Sequence, residues 1–496
     1  MADATQETLE DRLRRATRNF TTRLAEDDVL ALGRDLAREL ARAHGEAPPR
    51  YPEVDPALVP IVDGQPRLPA GGAEGDVAES LFQLGALLHA LATGSTPDLS
   101  WRLDGPPPAE LSTLVRRAAL AALASPRRDL RVASAAAAAE SLEAALAPEP
   151  TMPAPWPLFR GDPARTGSRS GEASALAPAW EAPLGGVVGS PALTVRLVLV
   201  PVADGRLVFL ERASGRQVHE LRLGSALESS PALSGGRLYL GTDDGDVVSV
   251  DLASGRELAR TKVGTLVRSS PLAVEGHLLV GVVDGKSAGA VVALDEKTGK
   301  LLWRRKLSAV FSSPALAGSS VLVGSDDGAL HALSVETGAL VWSHRLGGRV
   351  RATPAVAGEV AVVGDFEGRL VAVRVADGSR VWMREMGQPV YSSACRAGAV
   401  VVVGCHDGQV YGLAVESGEP VFQVSTRGPV VGSGAAVGER VLIGSTDGEL
   451  YLLDGQGRVQ ARAPLSKEGI QSSPAVDGGF AFVGSSRGLH ALSLTP

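Results

Sequence analysis

Residues 323–342 read VGSDDGALHALSVETGALVW, and the same phrase returns along the chain. LGTDDGDVVSVDLASGRELA begins at Leu240, VGDFEGRLVAVRVADGSRVW at Val363 and VGCHDGQVYGLAVESGEPVF at Val403. Aligning the glycine that follows the acidic turn gives Gly205, Gly245, Gly289, Gly328, Gly368, Gly408, Gly448 and Gly488, in steps of 40, 44, 39 and then four of 40. A fixed period of this size marks a repeat architecture. The longer step holds a small insertion, DGKSAGA, at residues 284–290.

Each unit opens on small residues, SSPA at Ser229, Ser312 and Ser472, GSPA at Gly189 and ATPA at Ala352. A short turn, an apolar run ending in Gly, an Asp-Gly turn, an alternating run, a Thr-Gly or Ser-Gly turn and a final run such as ALVW follow. Runs of four to six residues rich in Val and Leu suit strands rather than helices, and the glycine turns supply the positive φ that tight hairpins need. Four short antiparallel strands repeated eight times predict a mainly β protein, an eight-bladed β-propeller. The last unit stops at RGLHALSLTP without a fourth strand, whereas APAWEAPLGG before the first unit looks like an unattached fourth strand, with Trp180 where other units carry Trp303, Trp342 and Trp382. Pairing the two pieces would close the ring and hide both sheet edges. The tryptophans are expected to pack between adjacent blades.

Units such as GALHALSVETGALVW and GAVVALDEKTGKLLW, opened by WPLFRGDPARTG at residues 156–167, resemble the pyrroloquinoline-quinone-type propeller repeat. That family includes quinoprotein dehydrogenases and cofactor-free propellers such as the outer-membrane assembly lipoprotein. A WD40 repeat fits less well, because no unit carries its Gly-His and Trp-Asp pairs. Resemblance to the dehydrogenases implies a quinone held against a disulfide of adjacent cysteines, a calcium ion held by carboxylate and amide side chains, and an Asp base. The two cysteines here, Cys395 and Cys405, are ten positions apart, and no Asn occurs in the repeats. They read as buried small apolar side chains on the order of 15 Å apart, too far for a disulfide. A quinone-dependent dehydrogenase is therefore the alternative reading, and no cofactor is expected.

The residue before each small-residue start occupies an equivalent place near the axis: Val188, Glu228, Arg268, Phe311, Arg351, Tyr391, Val431 and Gln471. Two arginines, a glutamate and two aromatics suit a recognition surface. Glu228, Arg268, Phe311, Arg351, Tyr391 and Gln471 are the expected binding residues at the channel mouth, with solvated loop tips as the alternative. No His and carboxylates stand at metal-ligand spacing, so neither a metal nor a catalytic set is expected. Asp243, Asp244, Asp326, Asp327 and Asp447 could suggest calcium, yet they stand where hairpins need turn formers and no Glu follows at EF-hand distance.

Over the first 150 residues the period changes. DDVLALGRDLARELARAH, DVAESLFQLGALLHALATG, PAELSTLVRRAALAAL and SAAAAAESLEAAL place apolar residues three and four apart, so residues 1–145 read as a helical domain. A Pro-rich linker, 146–158, leads to the propeller at 159–496. The order of these helices is similar to the C-lobe of bacterial Ser/Thr protein kinases, and YPEVDPALVPIVDGQPRL looks like a catalytic loop and its hairpin, anchored by Pro56, Asp63, Gly64 and Leu68. The resemblance places the family's His-Arg-Asp on Tyr51, Pro52 and Glu53, its Lys on Asp55 and its metal-binding Asn on Leu58, and gives Asp-Phe-Gly no counterpart before Asp76. It thus implies a kinase relic without phosphoryl transfer. An unrelated helical bundle is the alternative.

The 496 residues carry a formal net charge of −7, which gives no overall pull toward nucleic acid. No run of about 18 apolar residues occurs, and the charged N-terminus lacks the apolar stretch of a signal peptide. The sequence therefore leads to the expectation of a cytoplasmic, non-catalytic binding protein, its partner another protein or a small ligand, with no nucleic acid and no membrane span. Fusion of such kinases to propeller sensors implies a signalling assembly.

Overall fold

The computed structural model describes residues 156–477 and 479–495, the helix Glu26–His44, the strand pair Ile61–Val62 and Gln65–Pro66, and the single positions Leu84, Leu88, Ala138, Ala139 and Leu142. The chain divides into two compact units, the first built on Met1–Thr151 and the second the propeller.

In the first unit, Val29, Gly33, Leu36 and Ala37 recur at helical spacing. Val29, Leu36 and Ala37 are buried, and a Cβ at Gly33 would come within 2.4 Å of Leu88. The two short strands pair Ile61 with Pro66 and Val62 with Gln65, a hairpin at the place where the sequence predicts one. The kinase-like positions Tyr51, Pro52, Glu53, Asp55, Leu58 and Asp76, and the linker 146–155, lie outside the described residues.

The repeats form eight antiparallel blades around a central channel. The fourth shows the plan: Ala315–Ala317 innermost, then Ser320–Gly324, Ala329–Ser334 and Leu340–Arg345 outermost. Gly328 and Gly338 turn the second and third corners at φ of 82° and 67°, values that only glycine adopts freely. The middle strands are apolar on both faces, because a blade is covered by a neighbour on each side. Leu322, Leu330, Val363 and Val371 accordingly share one core between the fourth and fifth blades. In the third blade the insertion lengthens the middle strands to His277–Val283 and Gly289–Asp295, with an exposed tip at residues 284–288.

The ring closes as the sequence predicts. Ala475–Asp477, Phe480–Gly484 and Leu489–Ser493 are completed by Ala177–Ala182, which pairs Trp180 with Ala491. Trp180, Trp303, Trp342 and Trp382 each donate their indole N–H to a carbonyl of the next blade, at Arg212, Val335, Val375 and Val415, over 2.8–3.0 Å. Each ring lies against that blade's outer turn glycine, Gly215, Gly338, Gly378 or Gly418, where a Cβ would come within 2.6 Å. The repeated Gly therefore serves the blade contact as well as the turn.

Two features organise the axis. The backbone N–H of Ser190 donates to the hydroxyl of Ser230, and the same link runs on through Ser270, Ser313, Thr353, Ser393, Ser433 and Ser473, each at 2.9–3.1 Å. The small residues that open each unit thus form a hydrogen-bonded belt. Ser472 closes it by donating to the carbonyl of Gly189.

The second feature is the opening phrase, which winds inside the channel. Innermost strands are sheet edges with unpaired backbone groups. The carbonyls of Trp156, Pro157, Pro163, Ala164, Thr166 and Gly167 accept from the N–H groups of Leu193, Leu233, Leu316, Val356, Arg396 and Ala436, the same register position in six blades. Arg165, fully buried, forks onto the carbonyls of Ser270, Pro271 and Pro314 at 2.9–3.1 Å, and Arg160 onto those of Ala394 and Gly434. Burial pushes both guanidiniums down, that of Arg165 to about 9, which leaves it cationic at neutral pH. One segment thereby plugs the channel and ties together blades far apart in sequence.

Candidate functional site at the propeller mouth

Innermost strands start at one end of the channel and run away from it. The plug meets them at their second residue, as at Leu233 in Ala232–Ser234. The end where they start is the mouth, and the buried serine belt stands just beyond its ring of side chains.

All eight ring positions stand two residues before a belt member, and among them the structure joins Glu228 to Arg268 and Phe311 to Arg351. Arg268 Nη1 lies 2.9 Å from Glu228 Oε2, while its Nε and Nη2 hold Asp243 at 2.7–3.2 Å. The Asp243 bond, helped by Glu228 and against burial, raises the Arg268 pKa, whereas burial raises that of Glu228. Arg351 grips Asp326 with Nε and Nη2 at 2.9 and 2.7 Å. Its guanidinium carbon lies 4.0 Å from the centroid of Phe311 and 5.2 Å from that of Phe366. Phe366 continues to Tyr391 at 4.2 Å, and Tyr391 to His406 at 5.3 Å. Tyr391 is 37% exposed. Gln471 is exposed at the mouth but joins none of these groups, and Val188 and Val431 complete the ring.

One expectation is extended. Asp243 and Asp326 do occupy turns, closed by the N–H groups of Gly245 and Gly328 on the carbonyls of Thr242 and Ser325, and their side chains also hold the arginines of the mouth. Asp327 and Asp447 accept backbone N–H groups within their own turns, and Asp447 and Asp407 each take a 2.6 Å bond from Tyr451 and Tyr411. Phe366 and His406 occupy the places of Asp243 and Asp326 in later blades, so the mouth is built from two rings where the sequence predicts one. The signal was available in the first residue of DDG, DDG, FEG and HDG, which varies while the third stays glycine.

The mouth does not fit a quinone held by calcium. Its three carboxylates, Glu228, Asp243 and Asp326, are all engaged by arginines. Cys395 and Cys405 are free and buried, Cys405 taken up with the carbonyls of Gln388 and Pro389. Among the described residues no three His, Cys, Asp or Glu side chains are grouped to hold a metal ion. What the arrangement offers is a contiguous surface of tilted aromatic rings with fixed cations, a binding chemistry.

Residues 187–488 match the family described as beta-alanine-activating enzyme, beta-propeller. The chain belongs to this family. Solved structures similar to this family member include BamB from Moraxella catarrhalis, at 18% identity and a TM-score of 0.56, covering 64% of this chain and 99% of that one. Quinohemoprotein alcohol dehydrogenase from Comamonas testosteroni matches at 13% identity and a TM-score of 0.60, over 68% of this chain and 80% of that one. The computationally designed protein Ika8 matches at 16% identity and a TM-score of 0.56, over 65% and 100%. These likenesses share the pyrroloquinoline-quinone-like propeller fold. Comparison with curated proteins finds no match. Among the described residues no helix is long and apolar enough to cross a membrane.

Proposed function

We propose that the chain is a non-catalytic binding protein whose propeller mouth recognises another protein. The observation that carries this reading is the continuous strip Phe311, Arg351, Phe366, Tyr391 and His406. Aromatic and arginine side chains concentrate binding energy at protein interfaces. A small ligand is the lesser reading, and a quinone is disfavoured by the engaged carboxylates.

The proposal extends to the first unit as a kinase-like helical module without catalysis, to a role in a bacterial signalling assembly and to the cytoplasm as its compartment. Its support is the order of the N-terminal helices and the substitution of catalytic-loop positions by Tyr51, Pro52 and Leu58.

Affinity capture with the wild-type chain and a Tyr391→Ala, His406→Ala variant tests it, with folding checked by circular dichroism. A partner retained by the wild type and lost by the folded variant supports the reading. Equal capture by both moves the working surface away from the mouth.

A further inference from the structure

We propose that the mouth takes an extended acidic segment of its partner protein, with an aromatic side chain of that segment on Tyr391 and Phe366 and its carboxylates on Arg349. This rests on the binding reading above and adds the chemistry of what is bound.

The argument is one of charge complementarity. Arg349 is exposed beside Phe366, whose backbone N–H donates to the Arg349 carbonyl at 3.0 Å. Its guanidinium has no ion pair or hydrogen bond among the described residues, whereas the carboxylates around it are committed. Asp326 is held by Arg351, Glu367 by Arg369, and the fully buried Asp365 accepts from the N–H groups of Gly348, Glu367 and Arg369. Arg351 spends Nε and Nη2 on Asp326 and keeps Nη1 without a hydrogen bond. The Tyr391 hydroxyl and the exposed His406 ring are also without hydrogen-bond partners among the described residues. The strip therefore offers unspent donors and uncompensated positive charge on an aromatic surface.

Across the mouth the balance reverses, since Glu228 and Asp243 share the single Arg268. A polyanion spread over the whole opening, nucleic acid or an anionic membrane, would meet those carboxylates. A short acidic segment confined to the strip would not. Ring separations of 4.2 and 5.3 Å in succession spread the surface beyond one side chain, which favours an extended segment over an isolated anion.

The test is fluorescence anisotropy on the full chain with a labelled Asp-Glu-Phe-Asp-Glu peptide, its Lys-Arg-Phe-Lys-Arg counterpart and an Ala-centred acidic control. The acidic Phe peptide should bind best. Arg349→Glu and Tyr391→Ala should each weaken it about tenfold, Tyr391→Phe should weaken it less than Tyr391→Ala, and Val341→Ala on the exposed outer strand of the fourth blade should leave it unchanged. Raising the salt should weaken it as well, because the exposed charges are screened. Preference for the basic peptide, absence of acidic-peptide binding, or indifference to Arg349→Glu overturns the inference. If the acidic peptide fails while Tyr391→Ala still loses the captured partner, only this inference falls. If capture is also unaffected, the reading of the mouth falls with it.

Discussion

The indole of Trp180 lies so close over Gly215 that a Cβ on the glycine would come within 2.4 Å of its ring. Trp180 stands in the strand that completes the eighth blade and Gly215 in the outer turn of the first, so this contact is the seam of the ring. Gly215 has φ of 73°, which alone disfavours any side chain there.

Trp180→Ala should cost about 3 kcal/mol through the lost ring and the space it leaves. Gly215→Ala should cost about 1–3 kcal/mol through positive φ and overpacking. Because both act on one contact, the double variant should lose less than the sum in denaturant unfolding. Additive losses would mean that the seam is held elsewhere.

Arg165 supports the axis in a way that no side chain of another shape repeats. Arg165→Leu would leave the carbonyls of Ser270, Pro271 and Pro314 buried without donors, at a cost of about 3–5 kcal/mol. Arg165→Lys keeps the charge but not the planar fork, and should recover only part of the loss. Thermal unfolding of the two variants decides this, and equal stability of Arg165→Leu and wild type would contradict it.

Asp447 lies below the ordinary carboxylate range: burial works to raise it, and the Tyr451 hydroxyl with the N–H groups of Glu449 and Arg427 overcomes that. A carboxyl depressed in the fold contributes stability above its unfolded pKa of about 3.9 and loses it as pH falls through the folded value. The urea midpoint of wild type minus that of Asp447→Asn should therefore shrink between about pH 6 and pH 3. A difference that holds constant with pH would refute the assignment.

Burial pushes the Cys405 thiol up to about 11 and raises Cys395 as well. Both should resist a thiol-specific reagent at about pH 8 until the propeller unfolds. The folded state holds the Cys405 proton beyond the unfolded thiol pKa of about 8.5, so its contribution to stability declines from there up to the folded value. Rapid labelling of the native protein would show that one thiol is accessible.

The blades, their number and the strand exchange at the seam were legible because each is carried by local signals repeated every 40 residues. Apolar alternation marks the strands, glycine marks the corners, and Trp180 stands at the tryptophan position of a missing strand. The plug was not legible, although its phrase stands out. Arg160 reaches carbonyls 234 and 274 positions away, and a single segment that serves many blades leaves no periodic trace. The mouth was half legible: its inner ring follows from the small-residue starts, but Asp suits a turn and an arginine partner equally well. Composition therefore hid the roles of Asp243 and Asp326, and with them the places of Phe366 and His406.

The central claim, that the mouth is the partner-binding surface, is met most directly by photocrosslinking in intact cells. A crosslinking amino acid replaces Tyr391 in one chain and Val341, exposed on the outer strand of the fourth blade, in another. The account predicts a discrete protein adduct from position 391 and none from position 341. The same adduct from position 341, with none from 391, would contradict it.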